Sequence, residues 1–204
     1  AILLFGCLGV LYLWFTILTP QNASFDSRWY HQPIAEIYVT QGGIEPFSEG
    51  WMPGAYPQLA SLLYAWAFSL PGTSFDRVVT AAHIELAVFL MTLVGIPAIV
   101  RRILGERIRF AWVALFLFPG IFCYDSSLVL GADHVAAVFA APVFLVSLRY
   151  LETPSRGYAA LLGAFIAGAV DTKYSAVILA GLPLPVVAVR GLRDLRASRP
   201  GMRG

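Results

Sequence analysis

The sequence opens with "AILLFGCLGVLYLWFTILT", residues 1 to 19, a stretch rich in Leu, Ile, Phe and Trp that contains no charged side chain. A helix needs about 20 apolar residues to cross a bilayer, or somewhat fewer when flanking side chains reach the headgroups. We therefore interpret residues 1 to 19 as a membrane-spanning helix. Just beyond it comes "FDSRWYHQP", residues 25 to 33, which places Asp26, Arg28, Tyr30 and His31 near the membrane.

The composition of the whole chain agrees with a membrane setting. Hydrophobic residues make up 58% of the 204 residues and charged residues only 13%, and the mean hydropathy is +0.73. A soluble protein of this length needs a smaller fraction of hydrophobic residues to form its core. The composition therefore indicates a polytopic membrane protein. The net charge of +2 comes from separate basic clusters, which suit loops at a membrane surface better than a nucleic-acid interface. Cys7 and Cys123 both lie in apolar runs and offer no disulfide framework.

Six apolar stretches are long enough to be considered as spans. They are residues 1 to 19, roughly 80 to 100, 110 to 123, 135 to 150, 158 to 172 and 175 to 189. A further apolar segment, "PQLASLLYAWAFSLPG", lies between Pro57 and Gly72 but predicts a helix of only about 13 residues, or about 20 Å. That is short for a crossing, so we expect this segment to lie in the membrane interface or to be re-entrant.

The distribution of basic residues orients the chain. Loops on the cytoplasmic side of a membrane are enriched in Lys and Arg. With six spans, eleven of the fourteen basic residues share one side, and only Arg28, Arg77 and Lys173 remain on the other. The predicted fold is therefore an all-α polytopic transmembrane bundle with both visible ends cytoplasmic and an outer loop at residues 20 to 75. We expect residues 1 to 204 to be the N-terminal part of a longer transmembrane domain, with its C-terminal part missing.

The long outer loop contains helices that lie along the membrane. Ile34, Ile37 and Tyr38 follow the i, i+3, i+4 spacing of an amphipathic helix over residues 33 to 39, and Gly42-Gly43 can close it in the left-handed conformation. Trp51 and Tyr56 are typical of residues held among headgroups. The outer side also collects most of the carboxylates, and His83 and Glu85 lie near the outer end of the second span. These residues predict an acidic, aromatic-lined outer pocket.

The order of several short motifs is similar to that of a known family. A first span is followed by an outer-loop Asp and a Tyr-His-x-Pro helix, then "YPQLASLLYAW", a span ending "RRILG", "GADHVAAVFAAPVFLVSLRYLE" and "LLGAFIAGAVDTKYSAVIL". Over nearly the whole chain this resembles the GT-C membrane glycosyltransferases, in particular bacterial relatives of the protein O-mannosyltransferases and the lipid A aminoarabinose transferase. The resemblance implies transfer of a sugar from a polyprenyl-phosphate donor to a lipid, glycan or protein acceptor. The expected location is the outer side of a bacterial inner membrane.

The resemblance also implies which residues act. Such a transfer needs a carboxylate that takes the acceptor's proton and a cation that stabilises the departing phosphate. Asp26 matches the family's first-loop aspartate and is the predicted catalytic residue; the alternative is that it caps a short helix beginning near Arg28. Lys173 is the predicted phosphate ligand; the alternatives are that it extends to the headgroups or pairs with Asp171.

The remaining predicted substrate-binding residues have structural alternatives as well. Arg28, Tyr30 and His31 are predicted to bind the substrate. Arg28 beside Tyr30 either adds a second cation or anchors the loop at the headgroups. Asp133 and His134 head the fourth predicted span, where the family places an aspartate in its outer cavity. An Asp at a helix N-terminus is also stabilised by the helix dipole without any chemistry, so capping is the competing interpretation.

Metal binding and a different class of protein stay open at this stage. His31 and His134, with Asp26, Glu49 and Asp133, include ligand types suited to a divalent ion, but no tight spacing such as HExxH occurs and no cofactor is certain. The rival class is a transporter or channel, in which intramembrane polar residues line a path. The sequence has no internal repeat, and its long outer segment favours an enzyme. A non-catalytic relative of the family is the third alternative.

Overall fold

The structure is a computed structural model that describes residues 1–19, 24–47, 50–105, 130–181 and 183–197. These residues form helices and connecting turns without any strand, which confirms the all-α prediction for the described part of the chain. In chain order the α-helices are α1 Ile2–Ile17, α2 Gln32–Gln41, α3 Leu59–Phe68, α4 Ser74–Leu104, α5 Asp133–Ala137, α6 Ala140–Glu152, α7 Arg156–Thr172, α8 Ile178–Gly181 and α9 Pro183–Ala197. Short π or 3-10 turns occupy Ser27–His31, Met52–Ala55 and Tyr174–Val177.

The longest helix, α4, contains the predicted span at 80 to 100 and extends it at both ends. A capping box defines its start, because the Thr73 hydroxyl accepts from the backbone N–H of Asp76 and the Asp76 carboxylate accepts from that of Thr73. Gly105, with φ 69°, closes the other end in the left-handed conformation. Its 31 residues make a helix about 46 Å long, which exceeds the hydrocarbon thickness of about 30 Å.

The prediction of six spans is wrong for the residues that the structure describes. Two helices there are long and apolar enough to cross a membrane: Ser74–Leu104, and Asp133–Glu152, in which α5 and α6 follow one another. The number rises to three if Tyr174–Gly181 and Pro183–Ala197, bent by 41° relative to each other, form one broken span. The predicted span at 110 to 123 lies outside the described residues.

The physical reasons for the lower count differ from helix to helix. Helix α1 is apolar, but its 16 residues span only about 24 Å. Helix α7 has 17 residues and carries Arg156 and Asp171 near its two ends. The last predicted span is broken because Pro183 and Pro185 lack a backbone N–H, so they fit the first turn of a new helix rather than the interior of a continuous one.

The outer-loop helices follow the sequence pattern closely. Helix α2 covers the predicted segment, buries Ile34 and Tyr38, and ends at Gly42 with φ 74° in the left-handed conformation. Helix α3 is even shorter than expected, with 10 residues, so the prediction that it does not cross the bilayer agrees with its length. The two helices pack against each other, and α3 also packs against α4.

A large apolar cluster connects these helices to the spans. It includes Leu13 from α1, Tyr64 from α3, Leu86 and Phe89 from α4, and Val135 from α5, all buried. The α4–α6 contact is especially close, because a Cβ added at Gly95 would lie 2.5 Å from the Cβ of Ala141. The core therefore fixes the first outer loop relative to the start of α5.

The charged residues separate toward the two ends of α5 and α6. At the C-terminal end, Arg102 of α4 forms an ion pair with Glu152 of α6. At the N-terminal end, Lys173, which follows α7, pairs with Asp133. The arginine-rich ends and the predicted outer residues thus lie at opposite ends of the same pair of helices.

Candidate functional site

The candidate site begins at the turn that follows α1. Residues Ser27–His31 form a π-helical turn, and Ser27 is fully buried, where its hydroxyl accepts from the Gln32 side chain at 2.9 Å. Asp26 precedes this turn in a helical conformation, is exposed, and makes no side-chain capping hydrogen bond. The capping interpretation of Asp26 is therefore wrong, and its carboxylate remains at the surface beside Tyr30.

Tyr30 links the Asp26 carboxylate to the rest of the site. Burial raises the pKa of Tyr30, and with the negative charges of Asp26 and Asp133 and a hydrogen bond with Asp26 the pKa reaches about 12. Its ring lies edge-on to Tyr56, with centroids 5.3 Å apart. At neutral pH the Tyr30 hydroxyl is therefore protonated and available as a hydrogen-bond donor.

His31 lies in the interior below Tyr30. Its ring centroid is 4.2 Å from that of Tyr30, and its Nδ1 shares a hydrogen bond with the Ser61 hydroxyl across 2.9 Å. Burial, together with the positive charge of Lys173 and against the opposing charge of Asp133, lowers the pKa of His31 to about 4. His31 is therefore neutral at pH 7. Its buried Nε2 has no hydrogen-bond partner among the described residues.

Lys173 and Asp133 form the other side of the site. The Lys173 ammonium donates to Asp133 Oδ1 at 2.6 Å, so the predicted alternative of a pair with Asp171 is wrong. Both side chains stay accessible, with 39% of Lys173 and 60% of Asp133 exposed. Asp133 follows the cap residue Ala132 and lies in the first turn of α5, where the helix dipole also stabilises a carboxylate. The next residue, Tyr174, donates from its hydroxyl to the Ala55 carbonyl and joins this corner to the first outer loop.

Glu85 and His134 lie beneath Asp133 and not on the open surface. Glu85 is fully buried, and its carboxylate accepts from His134 Nδ1 at 3.0 Å and from the backbone N–H of Leu130 at 2.7 Å and Gly131 at 3.3 Å. Leu130 has a φ of 63°, which is unfavourable for a branched side chain. The expectation that Glu85 joins the outer surface is wrong: it holds the turn that leads into Asp133.

His83 is half-buried and is held by neighbouring side-chain and backbone groups. Trp14 Nε1 on α1 donates to His83 Nε2 at 2.9 Å, and His83 Nδ1 donates to the carbonyl of Val79 at 2.7 Å. Both ring nitrogens are occupied by contacts within the helix bundle. His83 therefore ties α1 to α4, and its position does not support a role at the site.

Arg28 stands apart from the other predicted site residues. It lines a separate cavity of about 250 Å³ together with Arg77, and neither Asp26 nor Tyr30 contributes to the lining of that cavity. The structure thus brings Asp26, Tyr30, His31, Asp133 and Lys173 into one electrostatic neighbourhood and buries His134, whereas Arg28 lines the separate cavity.

A larger cavity of about 540 Å³ opens beside the first outer loop. Its lining includes three aromatic residues and one carboxylate: Tyr38, Phe47, Trp51 and Glu45. Ala55, which accepts the hydrogen bond from Tyr174, lines it as well. This cavity has the acidic and aromatic lining that the sequence predicts for an outer pocket.

The histidines and carboxylates considered as ligands of a divalent ion do not form a cluster in the described part of the chain. Within the described ranges, no three His, Cys, Asp or Glu side chains stand close enough together to hold a metal ion. His31 is engaged with Ser61, and His134 is engaged with Glu85. Glu49, the remaining ligand considered from the sequence, lies outside the described residues.

Sequence reasoning missed two contributors to the site. Ser61 fixes the ring of His31, and Tyr56 packs against Tyr30. Both lie about 25 to 30 residues beyond their partners, and the sequence contains no periodic signal that pairs them. The only available sign was that Tyr56 and Ser61 fall within the "YPQLASLLYAW" segment, which the family resemblance already marks.

Comparisons with known proteins extend over only part of the chain. No model of a known protein family matches the sequence, and no solved structure matches it. Glucans biosynthesis protein D of Pseudomonas fluorescens (strain SBW25) is 34% identical over 88 residues, which cover 39% of this chain and 15% of that protein. The chain therefore spans a small part of that relative's length, and the similarity is partial.

Proposed function

We propose that this protein is an integral-membrane glycosyltransferase that moves a sugar from a polyprenyl-phosphate donor to a lipid, glycan or protein acceptor. The observation that carries the proposal is the shared neighbourhood of the exposed Asp26, the Tyr30 hydroxyl and the accessible Lys173–Asp133 pair. These groups come from the first outer loop and from the facing ends of α5 and α7. Two helices long enough to cross a bilayer hold them at one end of the bundle.

The chemistry assigns a separate role to each group. Asp26 accepts the proton of the acceptor hydroxyl as that oxygen forms its bond to the sugar's anomeric carbon. The bond between this carbon and the phosphate oxygen breaks, and the polyprenyl phosphate leaves with the electron pair. Lys173 stabilises the developing phosphate charge, and Asp133 orients Lys173 before the donor binds. Tyr30, held protonated, donates a hydrogen bond to the Asp26 carboxylate and positions it.

Two further observations support a sugar as the substrate. The cavity of about 540 Å³ next to the site is lined by Tyr38, Phe47 and Trp51, and its volume lies within the range of about 300 to 1,000 Å³ typical of small-molecule sites. The partial relative is named for glucan biosynthesis, which is carbohydrate chemistry. We place the site on the outer side of a bacterial inner membrane, opposite the arginine-rich ends.

The test supplies the full-length protein in membranes with a panel of radiolabelled polyprenyl-phosphate sugars. We expect Asp26→Asn to lower the transfer rate by about 100-fold or more, the usual contribution of a general base. Asp194→Asn is the matched control, because Asp194 pairs with Arg190 on the exposed surface of α9. Transfer that is unchanged in Asp26→Asn, or equally reduced in Asp194→Asn, contradicts the proposal.

One observation favours a transporter as the second candidate. The Glu85–His134 pair is buried within the candidate spans, where ionisable residues often mark proton or substrate paths. Two backbone hydrogen bonds hold Glu85 to the turn before α5, and a third contact joins it to His134 within α5, which favours a structural role. Accumulation of a labelled sugar carrier inside sealed vesicles, without any covalent transfer, would support the transporter instead.

A further inference from the structure

A second polar cavity lies on the other side of the first outer loop. Arg28, Gln32 and Glu36 line it from the helical segment that includes α2, and Ser74 and Arg77 line it from the first turn of α4. Its volume is about 250 Å³, below the range of about 300 to 1,000 Å³ for sites that hold drug-sized ligands. It can therefore enclose a small headgroup and not a whole lipid or an extended substrate.

The charge of the lining favours an anion. Two arginines face one glutamate, so the lining is net positive. Arg77 Nε is buried and has no hydrogen-bond partner among the described residues. A guanidinium presents its N–H donors in a planar fork that matches a phosphate, and a buried donor without a partner is costly. A phosphate oxygen would supply the acceptor that Arg77 Nε lacks.

The position of Arg77 along α4 places the cavity at headgroup depth. From Arg77 to Arg101, at the other end of α4, the helix rises by about 36 Å, slightly more than the hydrocarbon thickness of about 30 Å. The two arginines therefore mark the two interfaces if α4 crosses the bilayer. Phe68 and Val78 add an apolar side to the cavity, which suits the glycerol and upper acyl region that accompanies a lipid phosphate.

We propose that this cavity binds the phosphate of an anionic lipid headgroup. The site is separate from the Asp26–Lys173 neighbourhood and goes beyond the proposed transfer reaction, since it needs no sugar and no bond is broken there. Arg77 is the main ligand, Arg28 is the second cation, and Gln32 and Ser74 add neutral donors. The bound lipid would hold the segment containing α2 against the start of α4.

Native mass spectrometry of the detergent-solubilised full-length protein tests the proposal with three probes: dioleoylphosphatidylglycerol, dioleoylglycerol, which lacks the phosphate, and inorganic phosphate. We expect phosphatidylglycerol to bind at least tenfold more tightly than dioleoylglycerol, and Arg77→Gln to weaken that binding by about tenfold or more, the loss typical of a charge-assisted contact. Arg77→Lys should retain part of the affinity. Arg156→Gln, an exposed arginine at the start of α7, is the control and should bind as the wild type does.

The remaining measurements distinguish a lipid phosphate from free phosphate as the ligand, and they check that each variant is folded. Inorganic phosphate that binds as tightly as the lipid, and is lost in Arg77→Gln, identifies a free phosphate as the ligand of the same site. Circular dichroism checks the helix content of each variant, and Arg28→Gln provides a second, more exposed test position. Wild-type phosphatidylglycerol binding in both Arg77→Gln and Arg28→Gln, or an equal loss in Arg156→Gln, overturns the proposal.

Discussion

Replacing Glu85 with alanine should be one of the most damaging single substitutions in this protein. The change removes the carboxylate that contacts His134 and accepts from the backbone N–H groups of Leu130 and Gly131. Each buried donor left without its acceptor costs about 1 to 3 kcal/mol, so the summed loss should reach about 3 kcal/mol or more. Glu85→Gln keeps one carbonyl acceptor, so its cost should be smaller, about 1 to 3 kcal/mol.

The control for this prediction is Glu152→Ala. Glu152 pairs with Arg102 and Arg149, but 46% of its side chain is exposed, so the loss should stay below about 1 kcal/mol. The assay is denaturant unfolding of the purified protein in detergent micelles, followed by tryptophan fluorescence. The reasoning is refuted if Glu85→Ala lies within about 0.5 kcal/mol of the wild type, the range expected for surface substitutions. The same variant should lose sugar transfer, because Asp133 follows the turn that Glu85 holds.

Three further predictions follow from the site and the helix contacts. Because the pKa of His31 falls from its ordinary 6.5 to about 4 on folding, the unfolded chain binds more protons between these values. The free energy of unfolding should therefore drop by up to about 3 kcal/mol as the pH falls from 6.5 to 4, and this group should contribute no pH dependence above 6.5. Unfolding measured as a function of pH should show a smaller dependence in His31→Gln. Lys173→Met should lower the transfer rate by about 100-fold. It should change the free energy of unfolding by less than about 1 kcal/mol, since the pair with Asp133 is partly exposed. A large loss of stability would contradict a role of Lys173 in transfer alone. Gly95→Ala should cost about 1 to 3 kcal/mol through the Ala141 contact, whereas Gly163→Ala, which meets nothing within 4 Å, should be neutral or stabilising in the same unfolding assay.

Local sequence signals predicted the outer-loop helices well. The end of α2 at Gly42 follows from the need for a residue that tolerates a positive φ, and the shortness of α3 follows from the prolines and glycine that flank it. These features depend on a few neighbouring residues, so one sequence is enough to identify them.

The number of spans could not be obtained in the same way. Hydropathy measures how apolar a stretch is, whereas a crossing requires one continuous helix of sufficient length. The stretch at 175 to 189 is apolar, yet Pro183 begins a new helix within it at an angle of 41° to the preceding one. Helix α4, in contrast, is longer than its apolar centre because the capping box at Thr73 and Asp76 extends it.

The pairing of site residues was only partly predictable. Counting helices predicted that Asp26, Asp133 and Lys173 share one end of the bundle. The partner of Lys173 was not predictable, because Asp133 is 40 residues away in sequence and the nearer Asp171 is equally charged. The cavity that Arg28 lines was not predictable either, because the π-helical turn at Ser27–His31 changes which side chains share a face.

The most direct test of the central claim is cysteine labelling of the full-length protein in sealed vesicles, with Cys7 and Cys123 first replaced by serine. Single cysteines are introduced by Asp26→Cys, Lys173→Cys and Arg156→Cys, and a membrane-impermeant thiol reagent is added from outside. We expect the first two positions to react from the same side of the membrane and Arg156→Cys to react from the opposite side. Reaction of positions 26 and 173 from opposite sides would contradict a shared site.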